Sequence, residues 1–162
     1  MKVVKKHTIS DLTHENLVDL FATALYGSSY LYAYYDDVFY NSLPDDKKQG
    51  DCLEDKLADT LLNGGEIYFL DSYAEGELYG ELQKKEIVES EDGCEDGKYT
   101  LTLKDIIEGL EHAANGTYKK YNEDEDYGET AFDYYAKDSS AFDLTEADIL
   151  IQIILFNEVV YG

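Results

Sequence analysis

Eight consecutive residues near the C-terminus, Ile149 to Phe156, include only one polar side chain, that of Gln152. The four residues Thr145 to Asp148 precede this run and resemble a helix-capping box, with Asp in the fourth position instead of the usual Glu. A helix that is apolar on every side is expected inside a hydrophobic core. The rest of the chain is therefore expected to fold around this helix.

Helical periodicity, with apolar residues three or four apart, recurs in the earlier parts of the chain. Ser10 or Asp11 can cap a first helix, which Gly27 stops. A further, acidic helix is predicted from about Glu129. The helices predicted from periodicity alone end near Leu25, span Cys52–Leu62 before Gly64-Gly65, and span Leu103–Ala114 before Asn115-Gly116.

Strand-like patterns separate these helices. Tyr99, Leu101 and Leu103 alternate with polar residues, which is typical of a half-buried strand. Other predicted strands are Val3–Ile9, Ile67–Leu70 and a weaker candidate at Leu78–Val88, and an acidic turn is predicted over Glu89–Gly97. These patterns predict one α+β domain over residues 1–162, with four to five helices packed with a small antiparallel sheet, a meander.

An aromatic cluster from Tyr30 to Tyr40 has ambiguous periodicity, so no secondary structure is predicted for it. Two interpretations stay open for this cluster: it contributes to the core, or it forms a subunit interface. The chain has 16 tyrosines and no tryptophan. Tyr is enriched at interfaces because it offers rigid amphipathic area, but without Trp many of these rings must also serve the core.

Charge limits the possible partners. The chain has 36 Asp and Glu residues against 13 cationic residues, all of them Lys, which gives a formal net charge of −23. Arg is the preferred residue for gripping phosphate, and none is present. Nucleic acids and anionic lipid surfaces would be repelled, because binding to them depends on protein cations. The sequence predicts neither as a partner.

Hydrophobic residues make up 44% of the 162 residues, which is too many for a disordered acidic tail. No apolar run approaches the roughly 20 residues that span a bilayer, and no signal peptide is recognised. Cys52 and Cys94 are the only cysteines, and we expect both to be reduced thiols. The expected location is the cytoplasm of a bacterial host cell.

Motifs for catalysis or metal binding are missing from the sequence. EF-hand loops beginning at Asp92, Asn122 or Glu123 each fail at the required Gly or at a ligand position. The three histidines are isolated, and no phosphate loop or nucleophile elbow is found. We therefore expect no cofactor, no metal and no enzymatic activity. A carboxylate enzyme with a divalent metal would require several buried carboxylates that converge in one pocket.

The acidic residues are concentrated in runs, which suggests a binding surface for a basic partner. One run is in the predicted turn, one is in the Tyr-rich segment near residue 125, and an auxiliary row follows one face of the predicted 103–114 helix. The predicted partner-binding residues are Glu89, Glu91, Asp92, Glu95, Asp96, Asp105, Glu108, Glu111, Glu123, Asp124, Glu125, Asp126, Glu129 and Asp133. The alternative is a solvated surface that keeps the protein soluble.

In size and composition, with acidic rows and Tyr between them, the chain resembles the DNA-mimic inhibitors of phages and mobile elements, of the anti-restriction or anti-CRISPR kind. The resemblance covers no defined segment. It implies a non-catalytic inhibitor that mimics nucleic-acid phosphates and occupies the DNA- or RNA-binding groove of a nuclease or CRISPR effector.

Lys6 to Thr13, followed by a helix, resembles the opening of the colicin nuclease immunity proteins over about a tenth of the chain. The Tyr-Tyr-Pro signature of that family is missing, because Tyr34-Tyr35 is followed by Asp36. This resemblance implies the alternative of an immunity protein for a nuclease toxin. An oligomeric structural or regulatory protein is the other alternative, and the expected state is a monomer or weak homo-oligomer.

Overall fold

The computed structural model of the protein describes residues 12–116, 118, 126–137 and 142–161. Within these residues the chain forms helices around one antiparallel sheet, which confirms the predicted α+β class. The helices are α1 His14–Leu25, α2 Asp37–Ser42, α3 Leu53–Leu62, α4 Leu103–Asn115, α5 Tyr127–Ala136 and α6 Leu144–Phe156, with a short 3-10 helix at Asp45–Lys47. The strands are β1 Leu31–Tyr35, β2 Ile67–Asp71, β3 Lys85–Glu89 and β4 Glu95–Leu101.

The sheet buries one of its two faces. Phe69 and Tyr99 point from β2 and β4 into the core and have no exposed surface. On the opposite face, Tyr34 and Tyr68 pack with ring centroids 4.8 Å apart, and the Lys98 ammonium lies 4.6 Å from the Tyr68 ring. One buried and one partly exposed face is the usual arrangement of an antiparallel sheet.

The strand order is β1-β2-β4-β3, which differs from the predicted meander. In a meander β3 would lie between β2 and β4, but here β4 pairs with both neighbours and β3 forms the edge. Burial explains the difference: Gly97, Tyr99 and Leu101 of β4 are buried, whereas β3 is rich in charged residues. Charged residues are favoured on edge strands, where they discourage pairing with other chains.

The predicted strand Leu78–Val88 is wrong in its first half, because only Lys85–Glu89 forms a strand. Residues 78–84 run irregularly instead, with Leu78, Tyr79 and Leu82 packed against the core. Gly80 has a φ of +79°, and a side chain there would collide with the backbone of Phe156. This close approach to α6 requires a turn rather than an extended strand.

The apolar helix α6 lies inside the protein, as predicted, and packs against α1, α4 and α5. α4 crosses it so closely that a side chain at Gly109 would collide with Ile154. The capping box is wrong by two residues: the cap is Asp143, paired with Glu146, and not Thr145. None of the described helices is long and apolar enough to cross a membrane.

The helices predicted from periodicity are present in the structure. α1, α3 and α4 are confirmed, although the cap of α1 is Thr13 with Asn16 rather than Ser10 or Asp11. The described part has six α-helices instead of four to five, because the segment Tyr30–Tyr40 contains β1 and the first residues of α2. The aromatic residues of the Tyr30–Tyr40 cluster divide between core and surface: Tyr30 and Tyr40 are buried, but Tyr32 is 61% exposed. The predicted strand Val3–Ile9 lies outside the described residues.

Candidate functional site

The β3–β4 turn holds the first predicted acidic run on a defined backbone. The Gly93 N–H donates to Ser90 O at 2.9 Å, and the Ser90 N–H donates to Cys94 O at 2.8 Å. Gly93 has a φ of +79°, which places it in the left-handed region that a three-residue hairpin loop requires. The Ser90 hydroxyl also accepts from the Cys94 N–H at 3.1 Å. Glu91 and Asp92 therefore stand at the tip of a hydrogen-bonded hairpin.

Four carboxylates in and beside the turn of this hairpin are exposed, and two of them face each other across the strands. Glu89 pairs in register with Glu95, so like charges are directly opposed, which is unfavourable for the sheet. No lysine occurs between Lys85 and Lys98 in the sequence. Lys98 pairs with Glu86 across the same two strands at 3.9 Å, but no lysine ion pair among the described residues involves Glu89, Glu91, Asp92 or Glu95.

The turn after β2 brings two further acidic residues to this hairpin. The Gly76 N–H donates to the Glu95 carbonyl at 3.0 Å, and the Glu95 side chain lies where a side chain of residue 76 would be. Glu75 and Glu77 flank this glycine, and both are exposed. We call the resulting set the hairpin acidic cluster, which consists of Glu75, Glu77, Glu89, Glu91, Asp92, Glu95 and the half-buried Asp96.

Sequence reasoning missed Glu75 and Glu77, because the backbone contact that joins them to the cluster connects residues that are far apart in the chain. The acid-Gly-acid spelling of residues 75–77 was an available signal for an acidic turn. Nothing local indicates that this turn packs beside the start of β4.

The predicted row on α4 lies at the other end of β4. The seven residues Glu95–Leu101 separate the hairpin from the start of α4, a distance of roughly 20 Å at about 3.3 Å per residue. Asp105 closes the capping box of α4, where its carboxylate accepts from the Thr102 N–H at 2.9 Å. Glu108 lies 3.7 Å from the Lys104 ammonium. Part of this row thus serves the helix itself.

The third predicted run is only partly described, because Glu123, Asp124 and Glu125 lie outside the described residues. Asp126 caps α5 and accepts from the Glu129 N–H at 2.9 Å. It also accepts from the Tyr118 N–H at 3.1 Å. Glu129 and Asp133 are half-buried on α5. Asp126 therefore has a structural function that its position in an acidic run did not indicate.

A group of buried polar side chains lies at the same end of the sheet as the hairpin acidic cluster. Asp71, at the end of β2, has no exposed surface and pairs in register with Gly97 near the start of β4. Its carboxylate accepts from the Tyr161 hydroxyl at 2.7 Å and from the Tyr73 N–H at 2.9 Å. Burial raises the pKa of Asp71 above its usual range, although the hydrogen bond from Tyr161 opposes this.

Gln152, the polar residue in the apolar helix, connects α6 to the end of the described chain. Its side-chain oxygen accepts from the N–H groups of Val160 and Tyr161, each at 2.8 Å. Its amide nitrogen donates to Asp148 at 2.8 Å and to the Tyr161 carbonyl at 2.9 Å. This fully hydrogen-bonded amide explains how a polar side chain is accommodated in the core.

The Tyr30 ring joins Asp148 to the aromatic residues around it. The Tyr30 hydroxyl donates to Asp148 at 2.5 Å, and its ring stacks on Tyr73 with centroids 5.3 Å apart. The Tyr161 ring meets Tyr30 edge-on at 4.9 Å. Burial, reinforced by the hydrogen bond to Asp148, raises the pKa of Tyr30 well above its usual range, so this hydroxyl stays a donor at physiological pH.

Within the described ranges, no group of three or more His, Cys, Asp and Glu side chains is arranged to hold a metal ion. Cys52 and Cys94 are free and exposed. Compared with known proteins, the chain matches no family, no curated protein and no solved structure.

Proposed function

We propose that this protein is a non-catalytic acidic inhibitor that mimics nucleic-acid phosphates and blocks the DNA- or RNA-binding groove of a basic protein. A restriction nuclease or a CRISPR effector complex is the kind of partner that fits. The observation that carries the proposal is the hairpin acidic cluster, whose exposed carboxylates project from a hydrogen-bonded turn. Its like charges oppose each other at Glu89 and Glu95, which favours a role in binding over one in stability.

Exposed carboxylates on a fixed backbone suit a mimic of the phosphate backbone. Phosphate contacts supply most of the affinity of proteins that bind nucleic acids, and they are made by Lys and Arg side chains. A cluster that holds its carboxylates on a preformed hairpin loses little conformational entropy on meeting such a groove. The net charge of −23 adds long-range attraction, which accelerates association with a basic partner.

The hydrogen bonds of the buried carboxylates support a non-catalytic role. Asp71, which has no exposed surface, accepts from the Tyr161 hydroxyl and from the Tyr73 N–H of the protein itself. Asp59, also without exposed surface, accepts from the Gln49 N–H at 2.8 Å and lies 3.0 Å from His14 Nδ1. These groups are occupied in holding the fold together.

Affinity capture from a bacterial lysate tests the proposal directly. The immobilised protein should retain basic nucleic-acid-binding proteins, and duplex DNA should displace them because both compete for one groove. Retention should weaken steeply between low and high salt, since the Debye length falls to about 8 Å at physiological ionic strength. Retained proteins that resist both DNA and salt would contradict the proposal.

A matched pair of variants assigns the binding to the hairpin acidic cluster. The first variant neutralises Glu89, Glu91 and Glu95 to Gln and Asp92 to Asn. At about 0.5 kcal/mol for each exposed ion pair, the captured partner should bind about thirtyfold more weakly. The control removes the same amount of negative charge from exposed residues that follow β1 in the chain, where β1 has reached the opposite end of the sheet. These residues are Asp37, Asp45, Asp46 and Asp51, each changed to Asn. Equal losses in both variants would show that net charge alone governs binding.

A further inference from the structure

A pocket of about 300 Å³ opens between the start of β1, the end of β2 and the first turns of α6. Tyr30, Tyr73 and Tyr161 contribute aromatic surface to it, and Asp148 contributes a carboxylate. Tyr73 is 48% exposed, so the aromatic surface is accessible from solvent. The pocket thus combines three tyrosine rings with one negative charge at the surface of the protein.

The polar groups of this pocket call for a ligand that donates hydrogen bonds. Asp148 accepts from Tyr30 and Gln152, which uses two of the roughly four lone-pair sites of a carboxylate. The Thr145 hydroxyl lines the pocket as a further possible acceptor, and the Ser29 hydroxyl already accepts from the Tyr73 hydroxyl at 2.9 Å. None of the described residues that line the pocket is a lysine or a histidine. A cation with several N–H donors satisfies these acceptors, whereas an anion meets no opposite charge.

The tyrosine rings of the pocket also favour a cationic ligand, through cation–π attraction instead of hydrogen bonds. The face of an aromatic ring carries negative charge and attracts cations, and the planar guanidinium of Arg also stacks on it. Tyr73, stacked on Tyr30, has its ring partly exposed. A guanidinium offers five donors in one plane, which matches a pocket of acceptors beside a ring face.

We infer that this pocket receives the guanidinium group of an arginine side chain on the basic partner. This assignment of the ligand to a partner rests on the proposed function. The pocket and the hairpin acidic cluster share one end of the sheet, since β1 begins there with Leu31 paired to Asp71, and β4 begins beside Asp71. An arginine that projects from a nucleic-acid-binding groove would therefore enter the pocket while neighbouring cations meet the cluster. Arg and Tyr are the residues that most often dominate binding energy at interfaces.

Titration of the isolated full chain with Nα-acetyl-arginine-N-methylamide, followed by NMR, tests the pocket without any partner. We expect saturable shifts at the amides of Tyr30, Tyr73 and Thr145. The citrulline analogue has the same shape without the charge and should leave these signals unchanged. Shifts of equal size with citrulline, or shifts confined to the hairpin acidic cluster, would overturn the assignment.

Substitutions of the exposed ring provide the second measurement. Tyr73→Ala should weaken binding of the arginine probe about fivefold, the effect of one cation–π contact. Tyr73→Phe keeps the ring and should bind nearly as the natural protein does, and Tyr32→Ala removes a more exposed tyrosine, 61% against 48%, from the outer sheet face as a control. A Tyr73→Ala variant that is folded by circular dichroism and binds the probe normally would refute the pocket.

The two proposals fail in different ways. The probe titration judges the guanidinium pocket alone, and the variant with a neutral hairpin should still bind the probe there. Capture of a DNA-displaceable basic protein judges the proposed function alone. Probe binding without such capture would leave the pocket as an arginine site and remove the inhibitor role. Capture that is unchanged in Tyr73→Ala would remove the pocket from the interface.

Discussion

Individual tyrosines act in this protein as hydrogen-bond donors to its own carboxylates and carbonyls. Tyr161 donates to Asp71, and Tyr135 donates to the Asn16 carbonyl at 2.6 Å. Arg, the usual donor for a buried carboxylate, does not occur in the chain. A phenol satisfies the acceptor and fills apolar space at once. The abundance of Tyr is therefore partly a consequence of how the acidic core residues are accommodated.

Replacing Tyr161 with Phe tests this role. The variant leaves Asp71 buried with only the Tyr73 N–H as donor, and we expect the free energy of unfolding to fall by about 1–3 kcal/mol. Urea denaturation followed by circular dichroism measures the change. Tyr32→Phe removes an exposed hydroxyl and should change stability by less than about 0.5 kcal/mol. Equal stabilities of the two variants would show that the hydrogen bond to Asp71 contributes nothing.

At the scale of single elements, several acidic residues are explained by helix starts. Asp36, Asp126 and Asp143 cap α2, α5 and α6, and Asp105 closes the capping box of α4. Carboxylates are favoured there because they accept from free N–H groups and lie at the positive end of the helix dipole. The described acidic residues consequently have different uses: caps stabilise helices, buried carboxylates such as Asp71 accept hydrogen bonds in the core, and exposed clusters do neither.

Substitutions at Asp126 and Asp92 distinguish a carboxylate that caps a helix from one in an exposed cluster. Asp126→Ala removes the acceptor for the N–H groups of Glu129 and Tyr118 and should destabilise the protein by about 1–2 kcal/mol, whereas Asp126→Asn can keep its oxygen on the Glu129 N–H, loses only the bond from Tyr118, and should cost less. Asp92→Ala, at the exposed hairpin tip, is the control and should change stability by less than about 0.5 kcal/mol. Thermal denaturation of the three variants measures these changes in stability. Loss of stability in Asp126→Asn equal to that in Asp126→Ala would indicate a charge effect instead of a cap.

Elements with strong local patterns could be predicted from the sequence, and elements set by distant contacts could not. Periodicity located α4, and the uninterrupted apolar run after a capping pattern located α6, each to within two residues. β1 could not be assigned because aromatic residues occupy both of its faces, and only pairing with β2 makes it a strand. The place of β4 between β2 and β3 likewise depends on which residues find burial in the assembled core.

The candidate site likewise has parts that local sequence predicts and parts that only distant contacts create. The acidic hairpin could be predicted because its carboxylates and Gly93 are adjacent in sequence. Joining Glu77 to the cluster required the turn after β2 to pack against β4. The pocket combines residues that are 118 positions apart, Tyr30 and Asp148, and no sequence pattern relates them.

For the whole molecule, buried tyrosines and excess negative charge both destabilise the folded state at alkaline pH. Burial is the main cause of a raised pKa for Tyr30, Tyr99, Tyr118, Tyr135 and Tyr161. Each of these groups has a higher pKa in the folded state than in the unfolded state. Their contribution to stability is therefore complete below the unfolded pKa of about 10 and is lost as the pH rises above it. Lysines lose their charge in the same range, which increases the repulsion among carboxylates.

We expect a cooperative alkaline unfolding transition in which the buried tyrosines ionise together with the loss of helical structure. Exposed tyrosines should ionise first, without any change in circular dichroism, and the buried group should follow at higher pH in one step. Tyrosinate absorbance and circular dichroism, recorded on the same samples, separate the two phases. Added sodium chloride should move the transition to higher pH, because it screens the repulsion without exposing the tyrosines. Ionisation of every tyrosine in one phase near pH 10, with the helices intact, would contradict the buried hydroxyls.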